Sequence, residues 1–287
     1  MPAETAARRI SRKLAGLTPG IPASDGAGVR LTRIIGSPQL NMLDPLLLLD
    51  CFESDDPDDY IAGFPSHPHR GFETVTYLLE GRMRHKDNAG HEGVIETGGV
   101  QWMTAGRGIV HSEMPEQAQG LLRGFQLWIN LPAAEKMSAP GYQEFTASEI
   151  PIEQREDGGV VRVIAGRTDG GVSGAARRPS TDPLYLDVEL PAGTVFGQGL
   201  PQTHAAVLFV IDGELRIGDE ARAVPRRHLG ILGPGDRVVV SAGDAAVRFL
   251  LIAGRRLNEP VARHGPFVMN TQAEIIQAFD DYRSNRF

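Results

Sequence analysis

Five side chains in the first half of the chain have the types and spacing to hold one metal ion. The run Gly63-Phe-Pro-Ser-His67-Pro-His69-Arg-Gly-Phe-Glu73 is answered later by His111-Ser-Glu113. In a β-strand successive side chains alternate faces, so residues at i and i+2 point the same way. His67 and His69 therefore share a face, and so do His111 and Glu113. Two such strands facing each other inside a barrel bring three imidazoles and one or two carboxylates to a single point. Imidazole and carboxylate donors suit iron(II), manganese, nickel or zinc better than a thiolate site does, and iron(II) is the ion expected, with copper a further occupant.

The elements that must position these residues read as strands. Thr74–Leu79 is an apolar and β-branched run stopped by Glu80-Gly81, and Asp87-Asn-Ala-Gly90 is a hairpin turn between Met83–Lys86 and Gly93–Glu96. Gly98-Gly-Val-Gln-Trp-Met103 leads into a glycine turn, and Phe125–Leu131 is a further strand. The 34 glycines among 287 residues exceed the average of roughly 7%. Short strands and many turns point to an all-β sandwich or barrel. The pattern weakens around Pro132–Gly141, where Ala133–Met137 suggests a short helical turn. We place the domain boundary there, giving an N-terminal metal-bearing domain over 1–138 and a second over 139–287. The second half carries its own strands at 160–165, 184–190, 206–211, 214–217, 237–241 and 247–252. Tyr77-Leu-Leu-Glu-Gly81 rhymes with Leu208-Phe-Val-Ile-Asp-Gly213, which suggests two related barrels. Thr271-Gln-Ala-Glu274 is a capping box, and Ile275, Ile276, Phe279 and Tyr282 form one stripe, so a helix is predicted over about 272–283.

The histidine pair followed by Glu73 is close to the first cupin motif, and Gly98, Thr104-Ala-Gly106 and His111 are close to the second. Three longer segments make the resemblance specific. These are Gly63–Leu79, Val100–Glu113 and Glu259-Pro-Val-Ala-Arg-His-Gly-Pro-Phe-Val-Met-Asn-Thr271. Together they resemble the pirin family over nearly the whole chain. That resemblance implies a bicupin: two jelly-roll β-barrels and a C-terminal helix, with one metal site in the N-terminal barrel. It implies His67, His69, His111 and Glu113 as the ligands. Glu73, a ligand in the general cupin pattern, becomes a supporting group. It further implies quercetin 2,3-dioxygenase-like activity, with a phenolic substrate and dioxygen meeting at an open metal site and Glu113 as general base. An alternative the family implies is a metal-dependent binding protein that modulates a transcription factor or a metabolic enzyme.

The remaining candidates read more plainly. His85 and His91 flank the hairpin turn and are expected to be solvated tips. His204 lies near the position where the first barrel has its pair, but no ligand type stands two residues away. His228 and His264 are structural, and Glu53–Asp59 is expected to be a mobile acidic loop near the barrel mouth. Phe64, Phe72 and Trp102 are candidates for an apolar wall. Cys51 is a small buried hydrophobe, and one cysteine admits no intrachain disulfide. A net charge of −7 does not favour nucleic acid. No run is long and apolar enough to span a bilayer, and no signal-peptide core follows the basic N-terminus. A cytoplasmic monomer is expected.

Overall fold

The computed structural model describes residues 10–177, 179–218 and 220–287. Among the described residues there are twenty-four strands and one α-helix, Gln272–Arg283. No helix among them is long and apolar enough to cross a membrane.

The chain divides into two compact units, and the division does not follow the expected boundary. One unit is Gly20–Ile150 with Ala175–Asp182 and Arg256–Phe287; the other is Pro151–Gly174 and Pro183–Arg255 with the N-terminal stretch through Pro19. A cut at residue 138 would fall inside the first unit and sever the strand Gly141–Phe145 from Val100–Thr104, with which it pairs along its whole length. Sheet edges explain the exchange. Each seven-stranded sheet needs an outer strand, and in the second unit Leu14–Thr18 supplies it by pairing with Leu229–Leu232.

Both units repeat one plan: a seven-stranded antiparallel sheet with a four-stranded sheet. In the first unit the four-stranded sheet runs Phe64–His69, Ile109–Pro115, Met83–Asp87, Glu92–Ile95. In the second it runs Val195–Gly199, Arg237–Ala242, Glu214–Ile217, Arg222–Pro225. The proposed rhyme falls on equivalent strands, Phe72–Glu80 and His204–Asp212, each third from the same edge of its sheet. The order also corrects the reading of His204. It opens the third strand of the seven-stranded sheet, whereas the counterpart of the histidine-bearing strand is Val195–Gly199.

The interiors differ. In the second unit a single apolar cluster fills the barrel, with Phe196, Val238, Val240 and Phe249 each at most 1% exposed. The first unit keeps an open space of about 710 Å³. The C-terminal segment closes over part of it. The helix begins at Thr271, whose side chain accepts from the Glu274 amide while Glu274 accepts from the Thr271 amide at 2.8 Å, as its capping box predicts. Ile275 and Ala278 bury against Phe267 and Met269. Ala133–Met137 is a short turn, as read from the sequence, closed by the Glu135 and Lys136 amides donating to the Pro132 carbonyl. The acidic run is ordered: it ends a strand at Ser54 and forms a 3-10 turn over Pro57–Asp59, with Asp59 paired to Arg30 at 2.8 Å.

Candidate metal centre

The two histidine-bearing strands are antiparallel neighbours. His111 stands directly opposite His67, and Ile109 opposite His69. Their imidazoles converge, with ring centroids of 4.7 Å for His67–His69, 4.4 Å for His67–His111 and 5.0 Å for His69–His111. One ligand atom from each of the three lies within 4.8 Å of the others. Turn chemistry sets the approach. Gly63, at φ +59, precedes the strand, and a Cβ there would meet the Glu113 carbonyl at 2.9 Å.

Hydrogen bonding leaves these nitrogens available. His67 Nδ1 lies 2.8 Å from the Pro65 carbonyl, so that nitrogen carries the proton and Nε2 keeps its lone pair. His67 Nε2 and His69 Nε2 are 3.0 Å apart. Two nitrogens about 2.1 Å from one ion and at right angles to each other lie roughly 3 Å apart, so the spacing suits a shared ion. Both ring nitrogens of His111 are buried without a hydrogen-bond partner, a cost that an ion would offset. Burial, and then the neighbouring imidazoles, hold the His69 and His111 pKa values well below the usual range, so both stay neutral and ready to coordinate. The buried residues therefore fit a divalent transition metal.

Glu113 lines the same cavity as His67 and His69 but is not one of the three converging ligand atoms. Its Oε1 lies 2.9 Å from Thr76 Oγ1, which is also 2.6 Å from Gln126 Oε1. A hydroxyl has one proton, so with Glu113 ionised and accepting from Thr76, the Gln126 amide must turn over to present its NH2 to Thr76. Burial raises the Glu113 pKa, with His67, Thr76 and His85 opposing. Glu73 points elsewhere. It stands opposite Thr104, whose hydroxyl donates to its Oε1 at 2.8 Å, and burial pushes its pKa up to about 7.

Sequence reasoning misplaced His85 and missed Trp128, Phe52, Arg33 and Arg263 near the site. His85 is not a solvated tip. It is 1% exposed, faces Glu113 across the ladder and contacts Glu144. The period-2 burial of Met83–Asp87 put it inward, a signal present in the sequence. His91 is the exposed tip and pairs with Asp87 at 2.9 Å. Trp128, rather than Phe72 or Trp102, lines the cavity, together with Phe52 and Phe64. Its ring lies edge-on to His69 at 5.1 Å, with Phe72 behind it at 4.3 Å. Arg33 and Arg263 also reach the cavity. Cys51 is only half-buried.

Comparison with known proteins agrees with this architecture. The pirin family model matches residues 28–129, and the pirin C-terminal cupin domain model matches residues 185–287. A pirin-like protein of Caulobacter vibrioides is 56% identical over 276 residues, covering 96% of this chain and 99% of that protein. Human pirin is 47% identical over 268 residues, covering 91% and 89%. The crystal structure of a quercetin 2,3-dioxygenase from Acinetobacter baumannii superposes with a TM-score of 0.88 at 35% identity, covering 97% of this chain and 99% of that one. With two matched domains and near-complete coverage by relatives, this chain belongs to the pirin family of bicupins.

Proposed function

We propose that the chain is a metal-dependent dioxygenase that oxidatively cleaves a flavonol such as quercetin, with iron(II) as the ion. The observation that carries this reading is the opening of the three-histidine cluster into a cavity of about 710 Å³ walled by Phe52, Phe64 and Trp128. A structural ion needs no such space, whereas a catalytic ion needs open positions. The similarity to the Acinetobacter quercetinase supports the same reading.

In this reading His67, His69 and His111 hold the ion, and Glu113 turns its carboxylate to complete the set. The ion supplies Lewis-acid and one-electron chemistry toward dioxygen. The remaining work belongs to the chain. Trp128 and Phe64 hold the flat rings and exclude water. Glu113, raised by burial, takes the proton of the substrate hydroxyl on the oxygen that Thr76 leaves free. Thr76, itself in contact with Gln126, holds one oxygen of that carboxylate while the other turns toward the histidines. The reducing cytoplasm, where ferrous iron persists, is the compartment this reading assigns.

Purified protein loaded with iron(II), manganese or nickel should consume dioxygen and bleach quercetin. The His69→Ala variant should lose at least about a hundredfold in turnover, in line with removal of a ligand or its support. Full turnover by that variant would sink the assignment.

A further inference from the structure

The cavity has a second recognition end that the metal cluster does not account for. Arg33 occupies the carboxylates there. It donates to both oxygens of Asp50, at 3.0 and 2.7 Å, and to Asp25 at 2.6 Å. The other Asp25 oxygen accepts from the Gly26 amide at 2.7 Å. Arg263 enters the same cavity from the strand Ala262–His264 of the C-terminal segment. Its guanidinium lies over the Trp128 ring at 5.0 Å and donates once, to the Leu47 carbonyl at 3.1 Å. Among the described residues no carboxylate stands within ion-pair distance of it. Arg263 is an exposed residue at the cavity mouth; partial desolvation of its guanidinium and then the Arg33 charge disfavour its cation, against a weaker pull from Asp50 and Asp25.

An arginine held in place by stacking, with most of its donors unspent, is built to receive an oxygen anion in bidentate fashion. Trp128 links that arginine to the metal end, because the same indole meets His69 edge-on at 5.1 Å. The gap from guanidinium to imidazole is no more than those two ring distances together, the reach of a fused bicyclic aromatic and its substituents. A molecule whose hydroxyl sits among the histidines would lie along Trp128 and present its far substituents to Arg263.

We propose that Arg263 is a specificity-determining residue that recognises an anionic oxygen group at the far end of the substrate. The preferred substrates are then phenolic or enolic aromatics carrying a second, negatively charged substituent, ahead of neutral flavonols. This rests on the metal cluster being the substrate-binding end, as proposed above.

The test compares quercetin with its 5′-sulfonate, using metal-loaded wild type, Arg263→Gln and Arg263→Lys. KM and kcat are taken from bleaching, and Kd independently from quenching of tryptophan fluorescence. Wild type should favour the sulfonate by about tenfold in KM and Kd, the worth of one charge-assisted contact. Arg263→Gln should bring that ratio to near one, and Arg263→Lys should retain part of it, at a ratio that falls with added salt. A wild-type ratio near one, or a ratio that Arg263→Gln leaves in place, overturns the proposal. If neither flavonol is turned over while the Kd ratio behaves as stated, Arg263 stands and the dioxygenase reading falls.

Discussion

A buried carboxylate with one hydrogen bond is a liability that titration exposes, and Glu73 is the clearest case. Its pKa, near 4.5 when unfolded, rises to about 7 in the fold, chiefly through burial. Between those values the folded state binds more protons than the unfolded state, so stability falls as pH rises through that window and is level above it. At about 1.4 kcal/mol per unit the loss is roughly 3–4 kcal/mol. Glu73→Gln keeps an acceptor for Thr104 and removes the charge. It should raise the melting temperature at pH 8 and give no gain at pH 4. A variant that melts lower than wild type at pH 8 would show that the ionised carboxylate has partners beyond Thr104. At this scale part of the site was legible in the sequence: period-2 spacing pairs His67 with His69 and His111 with Glu113, and the three histidines but not Glu113 converge. The supporting residues were not legible. Thr76, Gln126 and Trp128 reach the site only because Phe72–Glu80 and Leu122–Asn130 are neighbours in register, Thr76 opposite Gln126 and Thr74 opposite Trp128. No local pattern encodes that pairing.

Between elements, the C-terminal segment is fastened to the first unit by buried polar groups. Lys136 is 1% exposed, and its ammonium donates to the Gly71 carbonyl at 2.7 Å, Asn130 Oδ1 at 2.6 Å and the Val268 carbonyl at 2.9 Å. Lys136→Met would leave three buried acceptors unmatched and should destabilise by about 3 kcal/mol, read by denaturant titration. Arg70 adds a second tie, donating to Asp281 at 2.8 Å with its guanidinium 4.3 Å from the Phe287 ring centroid. Gly71 shows how close the backbones come. It sits at φ +89, and a Cβ there would lie 2.0 Å from the Val268 carbonyl oxygen. Gly71→Ala should therefore displace the strand Phe267–Met269, seen as faster hydrogen exchange in that strand and the helix. Unchanged exchange there would refute the close packing. The helix itself was readable from its capping box and stripe, since both are local. Lys136 was not, because a lysine in a turn reads as solvated until the segment that covers it is placed.

At the scale of the molecule one topology is used twice, and among the described residues the histidine cluster and its cavity lie in the first copy. The difference lies in what fills equivalent strands. Phe64–His69 and Ile109–Pro115 bring imidazoles inward, while Val195–Gly199 and Arg237–Ala242 set Phe196 opposite Val240 and Gln198 opposite Val238. In the second barrel an apolar cluster fills the corresponding interior. The sequence showed this asymmetry through its lack of a second histidine pair, but not the exchange of terminal strands between units, which follows from which sheet edge each segment covers. Two outcomes follow. Elemental analysis of metal-loaded protein should find one ion per chain, and none in a His67→Ala, His111→Ala double variant. A ligand that binds only the folded state stabilises it by about 2.7 kcal/mol at a hundredfold excess over Kd, and that gain is confined to the structure forming the site. Metal loading should therefore slow hydrogen exchange across Phe64–His69, Phe72–Glu80 and Ile109–Pro115 while leaving Leu184–Leu190 and Val247–Arg255 as they were. Equal slowing in both sets, or two ions per chain, would mean that the second barrel also binds metal and that its packed interior opens to admit it.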